Sequence, residues 1–520
     1  MKSLTLPFLA VLLVARAAAA EDFFELVSKS TPELVQSAIG AGAKLDDTDK
    51  YGRTPLMFAA RNNPNASVIR LLLGAGAKVS ERDKGNRTPL MFAAAANENP
   101  DVIQAFLKSG AGVEDQDEDG MTALMNAAST NPNPAVASAL IAAGARVDDR
   151  DGHGRTSLMF AARDNPQLEV VNTLLKAGAR IDDRDKNGVT PLMFAAISTS
   201  NPDVINLLLG AGAKIDAKDG SGITPLMYAA YHNENPQVFA ALLKGGARID
   251  DRDRYGRTPL MFASAFNPRL EIVKMLLKAG AGIDDRDQGS HTPLMWAAYN
   301  NADTRILTAL VQAGAGVEDK DSNGVTPLMW AADNNMKAEV TKVLLDAGAN
   351  VEARARNGFT PLMFAAKNSN LDVARALLAA GAKIDDRDSN GGTPLMSAAH
   401  DNPNPDVIGL LIEAGADVKD RDSNGGTPLM SAAYNNRNAD IVKALIAAGA
   451  GVNDQDNDGM TPLMWAAKHN QNPDTITALL AAGANGKLTS SEGKTAFAYA
   501  TENDKIKESQ EYWDLNKARF

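Results

Sequence analysis

The sequence predicts an all-α repeat solenoid, built of helix-turn-helix units with projecting β-turn or hairpin fingers. Two markers in one phase carry this prediction. The phrase Thr54-Pro55-Leu56-Met57-Phe58-Ala59-Ala60 returns with its threonine at Thr88, Thr122, Thr156, Thr190, Thr224, Thr258, Thr292, Thr326, Thr360, Thr393, Thr427 and Thr461. Each step is 34 residues, except for 33 between Thr360 and Thr393. A glycine keeps the same phase, from Gly42, Gly76 and Gly110 through to Gly449 and Gly483. Self-similarity at such a period means stacked supersecondary units, none of which can bury its apolar face alone.

The unit beginning at Thr54 justifies each element in turn. Thr54 is a helix N-cap, and Pro55 sits at the first helical position, where its missing N–H is harmless. Leu56, Ala59 and Ala60 share one helical face. Asn63-Pro64 breaks that helix. A second helix carries Val68, Ile69, Leu71, Leu72 and Leu73, and Gly76 supplies the left-handed residue that ends it. Val79–Arg87 is a polar, turn-rich finger leading to the next threonine. A glycine two residues before the threonine supplies positive φ in that turn. Asn86 and Ser290 replace it in two copies, each beside a glycine, Gly85 or Gly289.

The phrase T-P-L-M-x-A-A resembles the ankyrin signature T-P-L-H-x-A, and the resemblance runs over roughly residues 22–520. It implies paired antiparallel helices, fingers, and partner binding through finger tips and a concave helix face. The family's usual repeat is one residue shorter than most copies here. The sequence places the extra residue between the two helices, in segments such as Asn97-Glu98-Asn99-Pro100-Asp101, with Lys367-Asn368-Ser369-Asn370-Leu371-Asp372 as the standard short link. In Asn-Pro-Asp, the Asn caps the second helix and the Asp meets its dipole. The chain departs from the family at the motif histidine, which is methionine in every full copy from Met57 to Met464. The family's finger-linking histidine hydrogen bond is therefore not carried over, and apolar packing is expected instead.

The ends differ, as repeat stacking requires. Residues 1–20 read as a secretory signal peptide: Lys2, an apolar run from Leu4 to Ala15, then Ala18-Ala19-Ala20 as the cleavage site. Residues 21–53 are expected to form an N-terminal cap repeat, 54–493 thirteen repeats, and 494–520 a C-terminal capping repeat whose second helix runs from Asp504 to about Lys517. The stacked array should be on the order of 100 Å long. The mature chain is expected to be periplasmic in a Gram-negative bacterium, or secreted.

Composition narrows the function. Hydrophobic residues make up 44% and aromatics 5%, so the core must be Leu, Ala, Ile, Val and Met. The net charge of -11 becomes -13 once Lys2 and Arg16 are removed with the signal segment. Such a surface repels phosphate backbones and anionic membranes, and favours a basic protein partner or a divalent cation. There are no cysteines, which excludes disulfides, thiolate metal sites and a Cys nucleophile. The five histidines fall in different units, and neither HExxH nor GxSxG occurs, so neither an enzyme nor a cofactor is expected.

Two groups of residues remain as candidates. The residue after the motif methionine is mostly aromatic, and its richest stretch, Tyr228, Phe262, Trp296, Trp330 and Phe364, is the expected partner-binding site of a monomeric interaction scaffold. The alternative lies in the acidic fingers. Asp115, Asp117 and Asp119, and likewise Asp454, Asp456 and Asp458, match the first half of a calcium-binding loop. They could hold calcium or a cationic small ligand or envelope polymer. The twelfth position of such a loop, however, would be Asn126 or Trp465 instead of the bidentate glutamate.

Overall fold

Thr326 shows the fullest form of the repeat start, shared with Thr190, Thr258 and Thr292. Its backbone is extended (φ -91°, ψ 165°), and it caps the helix Pro327–Asn334 with proline in the first turn. The Thr326 amide donates to Met329 Sδ at 3.4 Å, while the Met329 amide donates to Thr326 Oγ1 at 3.4 Å. This is a reciprocal capping box in which a thioether stands where Glu or Gln usually does. Met329 is buried, as are the other motif methionines. The methionine thus contributes packing volume and a weak sulfur acceptor to its own cap.

The structure, a computed structural model, describes residues 20–335, 337–507 and 509–518. The expected signal segment lies outside the described residues, except for Ala20, which begins the helix Ala20–Lys29. Among the described residues all regular structure is helical, in successive short pairs. The chain divides into two compact units, residues 1–254 and 255–520. In the first unit, the first helices of successive repeats, from Ala20–Lys29 and Pro55–Asn62 to Pro225–His232, pack on one another, and the second helices form a parallel row. The second unit repeats this arrangement from Pro259–Phe266 to Ala496–Ala500. The core is the interior between the rows: Leu124, Ala127, Val136 and Leu140 in one repeat, and their equivalents throughout.

A polar ladder runs through that interior. Asn131, at the C-cap of the first helix, is 1% exposed. Its Nδ2 donates to the carbonyls of Ala94 and Asn97 in the preceding repeat, both at 2.9 Å, while its Oδ1 accepts from the Asn133 amide. Asn63, Asn97, Asn165 and Asn233 do the same in the first unit. Asn301, Asn335, Asn368, Asn402, Asn436, Asn470 and Asn503 do so in the second. Helix-end carbonyls that would otherwise be buried without partners are satisfied across the repeat boundary.

The ladder corrects two expectations. The extra residue of the long repeats is in the first helix, not between the helices. That helix has eight residues in Pro327–Asn334 and seven in Pro361–Lys367. Asn368 keeps its place on the ladder because the shorter helix brings it there, and Leu371 starts the next helix three residues later, as Ala66 does after Asn63. The last helix runs from Gln510 to Ala518 and does not begin at Asp504. Asn503 is still on the ladder, bound to the Ala467 and Asn470 carbonyls, and the following turn buries Ile506 beneath it.

The fingers are tight turns locked to one another. In most of them an aspartate five residues before the threonine folds the loop, with Ala355 and Ser490 standing there in two: Asp117 Oδ1 accepts from the amides of Asp119 and Met121. The fingertip amide of Gly152 donates to the Asp119 carbonyl at 2.8 Å. Gly120 sits at φ +80°, and a Cβ there would lie 2.8 Å from Gly152 N, so this junction requires glycine. At Asn86 and Ser290 the non-glycine residues themselves take φ 63°, and their glycine neighbours do not. An arginine rung closes the lattice: Arg82 donates to the Asn86 and Gln116 carbonyls and pairs with Asp115, and Arg286 does the same with Ser290, Lys320 and Asp319.

Candidate partner-binding site

In several repeats the second oxygen of the turn aspartate stands near the aromatic side chain that opens the first helix, and what lies between them varies along the chain. In three repeats of the first unit it is an arginine from the position before the threonine. Arg53, Arg87 and Arg155 pair with Asp49, Asp83 and Asp151 at 2.6, 2.7 and 2.7 Å. Their guanidiniums lie over the rings of Phe58, Phe92 and Phe160 at 4.8, 4.8 and 4.7 Å. Carboxylate, guanidinium and aromatic face thus form a three-layer stack.

Elsewhere the aromatic residue reaches the aspartate itself. Tyr228 donates its hydroxyl to Asp219 Oδ2 at 2.7 Å, and burial together with that carboxylate pushes the phenol well above its usual range. Trp465 Nε1 donates to Asp456 Oδ2 at 2.9 Å, and Trp296 Nε1 to Asp287 Oδ2 at 3.1 Å. Phe262 is 4% exposed beneath Arg257, so it contributes little surface. Phe364 packs edge-on to Phe359 beside a cluster containing Met329 and Ala355.

Trp296 and Trp330 are brought together. With His291, Met295 and Tyr299 they line an open, mainly apolar cleft of about 230 Å³. His291 meets both indoles edge to face, with ring centroids 5.7 and 5.4 Å away, and Tyr299 meets Trp330 at 5.1 Å and 89°. His291 Nδ1 lies 3.0 Å from Asp287 Oδ1, and Nε2 lies 3.6 Å from Asp321 Oδ2. The hydrogen bond to Asp287 raises the His291 pKa against the opposing effect of burial. Burial works to raise Asp287, but its bonds with His291 outweigh that and hold the carboxyl below its usual range.

Trp330 breaks the pattern. Its Nε1 is buried without a hydrogen bond, and so is Asp321 Oδ2, although the matching pairs at Trp296 and Trp465 are joined. The arginine position of this repeat is Val325. His291 from the preceding repeat stands near the carboxylate but beyond hydrogen-bond reach.

The acidic fingers are placed differently from a calcium loop. Asp115 is paired with Arg82, and Asp454 lies 3.6 Å from Arg421. Asp117 and Asp456 each accept two main-chain amides, and Asp456 also holds Trp465. Asp119 and Asp458 are exposed at the tips, where their carbonyls accept the next finger's amide. Among the described residues, no three His, Asp or Glu side chains converge as metal ligands do.

Sequence reasoning missed His291, Tyr299 and Asp321. Tyr299 was accessible, being three residues after Trp296 and so on the same helical face. His291 occupies the place of Arg87 and Arg155, a clue visible only once that position's contact with the turn aspartate is known.

Stacked helix pairs joined by locked finger turns define a helical repeat protein. The family model for ankyrin repeats, three copies in length, matches residues 23–117, 90–185, 192–287, 294–388, 380–456 and 429–510. The chain belongs to the ankyrin-repeat family, whose repeats are generally protein–protein interaction modules on a non-enzymatic scaffold. No curated protein matches the chain. Among the described residues no helix is long and apolar enough to cross a membrane.

Proposed function

We propose that the chain is a monomeric protein–protein interaction scaffold acting outside the cytoplasm, without catalytic activity, that binds a basic protein partner. The partner rests on the finger tips and the first-helix face of the second unit, centred on Trp296 and Trp330, with Phe364 as a further aromatic contact. The single supporting observation is the cleft at Trp296, Tyr299 and Trp330, where half-buried aromatic side chains stay open to solvent. Aromatic anchors in such pockets dominate interface energies, and repeats tied to one another by hydrogen bonds, as Asn301 and Asn335 tie theirs, lose little entropy on binding. The acidic surface adds long-range attraction for a basic partner.

The test is affinity capture from the native envelope fraction, comparing the wild-type chain with a Trp296→Ala/Trp330→Ala variant of unchanged circular dichroism. A partner held by the first and lost from the second is expected. Capture that is absent, or identical for both, contradicts the reading. Fractionation of the source cell checks the compartment.

A further inference from the structure

We infer that the Trp296–Trp330 cleft is a receptor for one arginine side chain of the partner, whose guanidinium lies against Trp330 and reaches Asp321. This deepens the interaction reading above and rests on it.

The molecule itself shows what fits between a turn aspartate and the aromatic residue that follows it. In the repeats of Asp49, Asp83 and Asp151 the filler is a guanidinium, bound to the carboxylate and stacked on the ring. At Asp321 the same two walls are present, but Val325 has no such group to offer. The consequence is visible in two places at once: Asp321 Oδ2 and Trp330 Nε1 are both buried and both without a hydrogen bond. The Asp321 side chain is 0% exposed. A buried carboxylate oxygen in that state calls for a donor.

His291 Nε2 stands 3.6 Å from that oxygen, too far for a hydrogen bond. That ring is 27% exposed and lines the cleft, so it lies between solvent and the carboxylate and can be pushed aside. Two carboxylates, Asp287 and Asp321, flank it, so the pocket keeps negative charge even when His291 is protonated. A planar guanidinium suits these walls better than an ammonium does. It stacks on indole and phenol faces while its fork binds carboxylate, and it sheds water more readily. Its apolar stem matches the mainly apolar lining.

The test uses the full chain, isotope-labelled at the tryptophan nitrogens, titrated with acetyl-Gly-Gly-Arg-Gly-Gly-amide and its lysine, citrulline and leucine counterparts. The indole N–H resonance of Trp330, assigned with Trp330→Phe, is followed. The arginine peptide is expected to shift it saturably, and the isosteric but neutral citrulline peptide to bind at least about fivefold more weakly. Asp321→Asn should abolish the arginine preference while preserving the turn, because its Oδ1 can still accept the amides of Asn323 and Val325. Val325→Arg should fill the site from within, show the shifted resonance without peptide, and no longer respond. No shift with arginine, an equal response to leucine, or wild-type binding by Asp321→Asn would each overturn the inference. If Val325→Arg does not fold, Asp321→Asn decides. These peptides need no natural partner, so a failed capture counts against the scaffold reading alone, and a failed titration against the arginine receptor alone.

Discussion

Asn131 donates its side-chain amide to the main-chain carbonyl of Asn97, 34 residues earlier, at 2.9 Å, and Asn165 in turn donates to the carbonyl of Asn131 at 2.8 Å. Asn131 is therefore donor to one neighbour and acceptor for the next, as are Asn97 and Asn402. The family signature joins fingers through histidine. Here methionine is turned inward, and the asparagine ladder at the opposite end of the same helix holds consecutive repeats together.

Asn131→Ala leaves two buried carbonyls and the Asn133 amide without partners. Orphaned buried groups cost roughly 1–3 kcal/mol each, part of which water recovers, so a net loss of about 3 kcal/mol is expected. Urea unfolding followed by circular dichroism measures it. Asn131→Thr should lose less, since a threonine hydroxyl can still accept the amide two residues on, as Thr199 does from Asn201. An alanine variant as stable as wild type would remove the ladder from the account.

Ser290 takes φ 63° with neither glycine's freedom nor a side-chain hydrogen bond from its hydroxyl among the described contacts. Ser290→Gly should relieve that conformation and stabilise the chain by roughly 0.5–1 kcal/mol, seen as a raised thermal midpoint. Asn86→Gly should gain less, because Asn86 Nδ2 holds the Gln116 carbonyl.

His291 makes part of the stability depend on pH. Its folded pKa is raised, chiefly by Asp287, above an unfolded value of about 6.5. A raised histidine pKa contributes stability that is complete below the unfolded value and lost as pH rises through the folded one. Asp287, held low by the same pair, contributes above an unfolded value of about 3.9 and loses that contribution as pH falls through its folded value. The gap in thermal midpoint between wild type and His291→Gln should therefore be widest near about pH 5–6 and close towards alkaline pH. A gap independent of pH would show that His291 acts only by packing.

Calcium should leave the thermal midpoint unchanged at millimolar concentration, because Asp115, Asp117, Asp454 and Asp456 are already engaged by arginines and turn amides. An upward shift that Asp117→Asn or Asp456→Asn abolishes would restore the calcium reading of the fingers.

The local chemistry was legible in the sequence, and the cross-repeat chemistry was not. Thr-Pro at each helix start, and a finger glycine such as Gly120, are requirements met within a few residues, and so they show as spacing. Asn97 and Asn131 read as ordinary linker residues, because their partners lie a full repeat earlier. The helix end at Lys367 was misplaced for the same reason: the register is kept by Asn368 and its contacts with Ala332 and Asn335, not by the link that follows. At the site, Asp321 with Trp330 and Asp456 with Trp465 have the same spacing, yet only the second pair is joined. Trp330 and Asp321 have His291 of the preceding repeat as a neighbour, a contact that no within-repeat pattern registers.

The most direct measurement is the affinity of the captured partner for three variants of equal stability: Trp296→Ala, Trp330→Ala and Trp465→Ala. Removing either wall of the cleft should weaken binding at least about tenfold, as loss of a central anchor does. Trp465→Ala, which lies outside the cleft, should bind within about twofold of wild type. Equal affinity across all three variants, or a loss confined to Trp465→Ala, would contradict placing the partner on the Trp296–Trp330 face.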